Sequence, residues 1–323
     1  MRFEQAVHQP QCRCCATVIT DVLPPCVFPH VRLQSLTLFF RYFRPLILAS
    51  ESCQIVSEAG VIRAKRAVSD LVLLGILAGV YIAFAGAASA MVAFNLLANP
   101  DTFGLGRCLA GVIFPCGLVL VVLAGAELFT GNTMMLLPLV QRRITLFSVL
   151  RNWGIVYVAN FVGAVGIAFL IYQSGQLTLG PADPLLGGVA IVTAAAKCHL
   201  TFGEAFLLGI FCNWLVCLAV WMSASIKEVA GKILAIFFPI WLFVAAGFEH
   251  SIANMYFIPV GLFAAQSPAL MESAQAIASP EVLASLTWKN FFLANLLPVT
   301  LGNTLSGAVF VALAYGYVCR KAS

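Results

Sequence analysis

Six stretches of this chain run for about twenty residues with almost no charged side chain, and nothing else restricts the fold as strongly. A helix rising 1.5 Å per residue needs about 20 apolar residues to cross a hydrocarbon core. The runs cover residues 71–98, 108–126 resuming as 128–140, 153–173, 205–226, 233–248 resuming as 251–264, and 290–319. They are apolar on every face, whereas the strands of a membrane barrel alternate over ~10-residue segments. Composition follows the same pattern: of 323 residues, 61% are apolar and only 10% charged, against about 25% charged in an ordinary soluble domain. So few charges cannot solvate a surface of this size. The expected fold class is an all-α integral membrane protein with six transmembrane helices. The net charge of +5 is too small and too dispersed for a phosphate-binding face, so no nucleic-acid partner is expected, and the surrounding lipid is the first one.

The lysines and arginines between the runs set the orientation. One side carries Arg63, Lys65, Arg66, Arg142, Arg143, Arg151, Lys227, Lys232, Arg320 and Lys321; the other carries Arg107, Lys197 and Lys289. Ten against three puts both termini in the cytoplasm, and an even number of spans agrees. Residues 1–56 stand apart as an extension, poorly ordered or peripheral, ahead of a transport domain at 57–323. The extension holds Cys12, Cys14, Cys15 and Cys26, but not the paired spacing of a metal site, and its apolar stretch at 27–49 is broken by His30, Arg32, Arg41 and Arg44. Neither metal nor cofactor is expected. Cys108, Cys116, Cys212 and Cys217 fall within spans, where a thiol serves as a small apolar side chain.

Two spans are too long. The second covers 33 residues, 108–140, so an unbroken helix would be ~50 Å long against a ~30 Å core. Both long spans carry a carboxylate near the middle in the pattern Gly-x-Glu-x4-Asn: Gly125, Glu127 and Asn132 in the second, Gly247, Glu249 and Asn254 in the fifth, 122 residues apart. Each sits in the middle span of a group of three, so the halves should form a 3+3 inverted repeat with helices 2 and 5 broken. Matching interruptions in inverted halves point to a midplane substrate site. Freed half-helix N-termini there carry partial positive charge and favour an anion. Glu127 and Glu249, with Asn132 and Asn254, are read as holding the two loops, because a carboxylate lining an anion path would repel the cargo. His250 stands beside Glu249 at the break. An imidazole with an unperturbed pKa near ~6.5 exchanges protons with a weak acid at little cost. Lys197, ahead of span four, can draw anions toward the path; His199 reads as a loop residue.

Four longer segments carry a resemblance: Ala126-Glu-Leu-Phe-Thr-Gly-Asn132, Cys212-Asn-Trp-Leu-Val-Cys-Leu-Ala-Val-Trp221, Gly247-Phe-Glu-His-Ser-Ile-Ala-Asn-Met255 and Asn295-Leu-Leu-Pro-Val-Thr-Leu-Gly-Asn303. Together they resemble the formate/nitrite transporter family over roughly residues 57–320. The resemblance implies an aquaporin-like protomer with its own pore, a homopentamer, and a bacterial inner membrane. By motif it makes His250 the central pore histidine, Thr130 its hydrogen-bonding partner and Lys197 a lysine near the pore centre. Phe114 and Phe243 correspond to the periplasmic constriction, Leu118 and Phe129 to the cytoplasmic one, and Val216 to the lining. Asn213 and Asn303 match asparagines whose amides serve the pore or its loops. The implied cargo is a small monovalent weak-acid anion exchanging a proton: formate first, nitrite next, then hydrosulfide or lactate. The chain is not expected to be an enzyme, since no span carries Cys-x-x-Cys or a His-rich metal pattern, and no Gly-x4-Gly-Lys-Ser/Thr loop suggests use of ATP. The alternative is an aquaporin-like channel for neutral solutes, but paired Asn-Pro-Ala turns are missing at the breaks.

Overall fold

Helix α1, Pro45–Lys65, precedes six apolar helices long enough to cross a membrane: α2 Val68–Ala98, α3 Pro100–Ala124, α5 Leu146–Gln173, α7 Phe202–Ala224, α8 Val229–Ala246 and α12 Trp288–Cys319. Three shorter apolar helices complete the set, α4 Phe129–Val140, α6 Leu186–His199 and α9 Ser251–Ala264. Two small helices, α10 Pro268–Gln275 and α11 Pro280–Ala284, lead into α12. This computed structural model describes residues 45–180 and 185–320. The cysteines and basic residues of the extension up to Arg44, and Lys321, lie outside the described residues. The six expected spans are all present, and the protein is a multi-pass membrane protein.

Local sequence explains several of the helix starts. Thr145 accepts a hydrogen bond from Ser148 N and starts α5. Thr201 and Glu204 form a reciprocal capping box on α7, and Glu228 accepts from Ala230 N and Gly231 N at the start of α8. Each satisfies N–H groups that the first helical turn leaves without partners. In the bundle, α2 packs along α5 and against α3, while α7 packs along α12 and against α8. The half-helix α9 rests on α5 and α6, and α4 on α12.

Two expectations change. His199 is not in a loop: with Lys197 it occupies the last turn of α6, whose 14 residues are too few to span a bilayer and include Gly187, Gly188 and three consecutive alanines. The boundary placed at residue 56 falls inside α1. That helix is tied to the bundle by polar side chains: Ser52 Oγ donates to Ser225 Oγ at 3.0 Å, Ser57 bonds to Gln141, and Arg143 Nη1 donates to Ser57 Oγ at 2.8 Å.

Candidate functional site

The second and fifth spans are interrupted by the same backbone path. α3 ends at Ala124 and α8 at Ala246, followed by Gly125 (φ 74°) and Gly247 (φ 81°) in the left-handed region. Other L-residues resist that conformation by roughly 1–2 kcal/mol, which accounts for glycine at both positions. Two residues later Glu127 N donates to Leu74 O, and Glu249 N to Leu208 O, each at 3.2 Å. Leu128 (φ −106°, ψ 123°) and His250 (φ −110°, ψ 117°) are extended, and α4 and α9 start immediately after them.

Buried asparagines satisfy the freed backbone in matching fashion. Asn160 Oδ1 accepts from Phe129 N at 2.9 Å, while its Nδ2 donates to Gly75 O and Glu127 O at 2.7 and 2.9 Å. Asn303 Oδ1 accepts from Ser251 N at 2.9 Å, and its Nδ2 donates to Gly209 O and Glu249 O at 2.7 and 3.0 Å. Both asparagines are fully buried. The carboxylates are held in the same way. Asn132 Nδ2 bridges Glu127 Oε2 (2.7 Å) and Asn152 Oδ1 (2.9 Å). Asn254 Nδ2 bridges Glu249 Oε2 (2.6 Å) and Asn295 Oδ1 (2.7 Å). An ionised carboxylate at this depth is tolerable only when paired. Glu127 takes Arg66 Nη1 at 2.5 Å and Arg63 Nε at 3.4 Å, whereas Glu249 takes Lys197 Nζ at 2.6 Å.

At the equivalent position just after each glutamate the halves diverge, because His250 replaces the apolar Leu128. His250 is buried, its Nδ1 accepts from Ala253 N at 3.1 Å, and its Nε2 stands 3.0 Å from Thr130 Oγ1. With Nδ1 accepting a backbone N–H, neutral His250 carries its proton on Nε2 and donates it to Thr130 Oγ1. The Thr130 hydroxyl proton therefore turns away from the imidazole. Thr130 itself is fixed through its carbonyl, which accepts from Thr133 Oγ1 (2.6 Å), Asn213 Nδ2 (3.2 Å) and Cys217 Sγ (3.4 Å).

Two separate cavities approach this pair. The first is lined by Arg107, Phe114, Lys197, Phe243, His250 and Phe257, among others. Phe114 and Phe243 meet edge to face at 5.7 Å, and the Phe243 ring stacks over His250 at 6.1 Å. The second is lined by Arg63, Arg66, Leu118, Glu127, Leu128 and Gly131. Of the residues singled out from sequence, Phe114, Phe243, Lys197, His250 and Asn254 line the first cavity, and Leu118, Glu127 and Asn132 the second. Glu249, Phe129, Thr130, Val216, Asn213 and Asn303 line neither and are buried around them. The Phe129 ring packs edge to face against Tyr157 at 4.9 Å.

The sequence profile described as formate/nitrite transporter matches residues 50–317 of the chain. The chain belongs to the formate/nitrite transporter family. Among its relatives in this family, a protein named probable formate transporter from Methanothermobacter thermautotrophicus is 39% identical over 284 residues, covering 84% of this chain and 96% of the relative. The formate channel FocA of Escherichia coli strain K12 is 38% identical over 275 residues, covering 84% and 93%. A solved structure described as a pentameric formate channel with formate bound superposes with a TM-score of 0.68 at 35% identity, covering 79% of this chain and 98% of that one. The family is one of transporters.

Several residues of this formate/nitrite transporter site escape a reading of the sequence. Arg63, Arg66 and Arg107 serve there only as topology markers, yet all three line the cavities. Asn152 and Asn295 carry no role there either. A signal for them exists: Asn152, one residue ahead of the third apolar run, and Asn160 within it are eight apart, as are Asn295 and Asn303 in span six. Buried amides recurring at one spacing in apolar helices mark a polar task.

Proposed function

We propose that this chain is a channel for small monovalent weak-acid anions, with formate as its first cargo and nitrite its second, passing them passively or together with a proton. The observation that carries the reading is the buried Thr130–His250 hydrogen bond, 3.0 Å long, set between two cavities that each hold basic side chains. The names of the relatives support formate, and the pentameric neighbour supports a homopentamer. The mirrored Glu–Asn–Asn clusters support a 3+3 inverted repeat with its axis near this pair. By the positive-inside rule the Arg63/Arg66 cavity faces the cytoplasm of a bacterial inner membrane, together with both termini, and the Lys197 cavity faces out.

A hydrated ion cannot cross an apolar slit such as the one made by Phe114 and Phe243 without losing its water. A weak-acid anion avoids that cost by taking up a proton between the slits and leaving as the neutral acid. The Nε2–H of His250 points to Thr130 Oγ1, so the Thr130 hydroxyl keeps its own proton for donation to a carboxylate that reaches the pair. The proton added to the anion comes from cavity water or from a His250 that has first taken up a second proton, since loss of Nε2–H from the neutral ring would leave imidazolate; it is returned on the far side.

Stopped-flow swelling of proteoliposomes in formate, nitrite, hydrosulfide, lactate and glycerol tests the reading. Formate and nitrite should enter and glycerol should not; glycerol uptake without anion uptake would replace this reading with a neutral-solute channel. Thr130→Val, which keeps the shape and removes the hydroxyl, should lower formate flux by about tenfold or more, the worth of a hydrogen bond to a charged group. Thr130→Ser should retain most of the flux. Equal rates in the two variants would remove the hydroxyl from the mechanism.

A further inference from the structure

Each cavity carries two basic side chains against one neighbouring carboxylate, but the spare positive charge is placed differently in the two. On the α1 side Arg63 and Arg66 both reach Glu127. On the other side Lys197 alone reaches Glu249, at 2.6 Å, so that pair presents little net charge. Arg107 lines the same cavity as Lys197 and His250. Among the described residues, no carboxylate lies within 4.0 Å of it. Its Nη2 donates to Val244 O at 2.6 Å, and the guanidinium rests directly against Gly247, where a Cβ would stand 2.7 Å from Nη2.

This placement fixes the guanidinium without neutralising it. Val244 O belongs to the C-terminal end of the half-helix α8, whose partial negative charge attracts a cation but amounts to about half a unit. One bond to a carbonyl uses one of five guanidinium N–H donors. A fixed planar fork in an apolar cavity suits a planar anion with two oxygens, through paired charge-assisted hydrogen bonds.

We propose that Arg107 is the anion-capturing residue of the outer cavity, binding formate or nitrite through its remaining N–H groups before the anion passes Phe114 and Phe243 toward His250. The proposal rests on the channel reading above and assigns a binding residue to its outer site. Arg107 supplies the uncompensated attraction there, because the Lys197 charge is already matched by Glu249. Hydrosulfide, with a single acceptor atom, gains the charge but not the fork.

The experiment is initial uptake of formate and hydrosulfide into right-side-out vesicles, measured against concentration at low and high salt, for the unsubstituted protein, Arg107→Gln and Arg107→Lys. In Arg107→Gln the half-saturation concentration for formate should rise about tenfold, as expected for loss of a charge-assisted pair, and its dependence on ionic strength should flatten. The limiting rate should change little. Arg107→Lys should recover the salt dependence and the hydrosulfide affinity, but only part of the formate affinity. A purely structural cap on α8 would instead lower the limiting rate or the folded yield with half-saturation and salt dependence unmoved, and that result would overturn the role. Absence of formate and nitrite flux in the unsubstituted protein would overturn the channel reading along with it.

Discussion

Glu249→Ala should destabilise the folded protomer by about 3–5 kcal/mol, the usual cost of leaving one partner of a buried ion pair alone. The substitution strips Lys197 of its 2.6 Å partner while that side chain is only 18% exposed. It also removes one of the two acceptors of Asn254 Nδ2 and of Asn295 Nδ2. The expected readout is a large drop in the detergent-solubilised melting temperature and in folded yield. Adding Lys197→Met to Glu249→Ala should restore part of the loss, since the charge left stranded is then gone; the double-mutant cycle measures the coupling. Glu127→Ala should cost less, because Arg63 and Arg66 are 24% and 27% exposed and can turn toward water. A Glu249→Ala protein that melts like the unsubstituted one would mean that the carboxylate does not hold the loop.

That contrast also separates what composition and spacing could reveal from what they could not. The spans were legible because twenty uncharged apolar residues have few other fates. The glutamates at 127 and 249 were legible because a carboxylate inside such a run is costly and draws attention. Helix α6 was not: its 14 residues are too short for a span and too rich in glycine and alanine to stand out from a connection. Lys197 was therefore placed only as lying ahead of span four, whereas it sits in the last turn of this helix with its Nζ against Glu249 and 5.8 Å from the Phe257 ring centre. Asn152 and Asn295 were invisible for a different reason. A single amide scarcely changes the hydropathy of a long helix, and its importance comes from the carboxylate-holding asparagine of another span, Asn132 or Asn254, which only the fold brings within 3 Å. Arg107 was visible as a charge, but the partner that fixes it, the Val244 carbonyl, is 137 residues away.

His250→Phe should abolish the response of formate flux to pH while leaving the protomer folded. The side chain has two separable tasks. Nδ1 caps α9 by accepting from Ala253 N, and Nε2 faces Thr130. Loss of the cap costs about 1 kcal/mol, and the matching position in the other half, Leu128, starts α4 with no side-chain cap. The break thus forms without that bond. A phenyl ring also keeps the stacking surface presented to Phe243. What disappears is the imidazole in contact with the Thr130 hydroxyl, so flux measured from about pH 5 to pH 8 should become flat. His250→Asn separates the tasks further: asparagine is a strong N-cap residue but does not titrate, so it should protect α9 and still give the flat profile. A pH response retained in both variants would remove His250 from proton exchange and leave cavity water as the donor, with Thr130 orienting the anion alone.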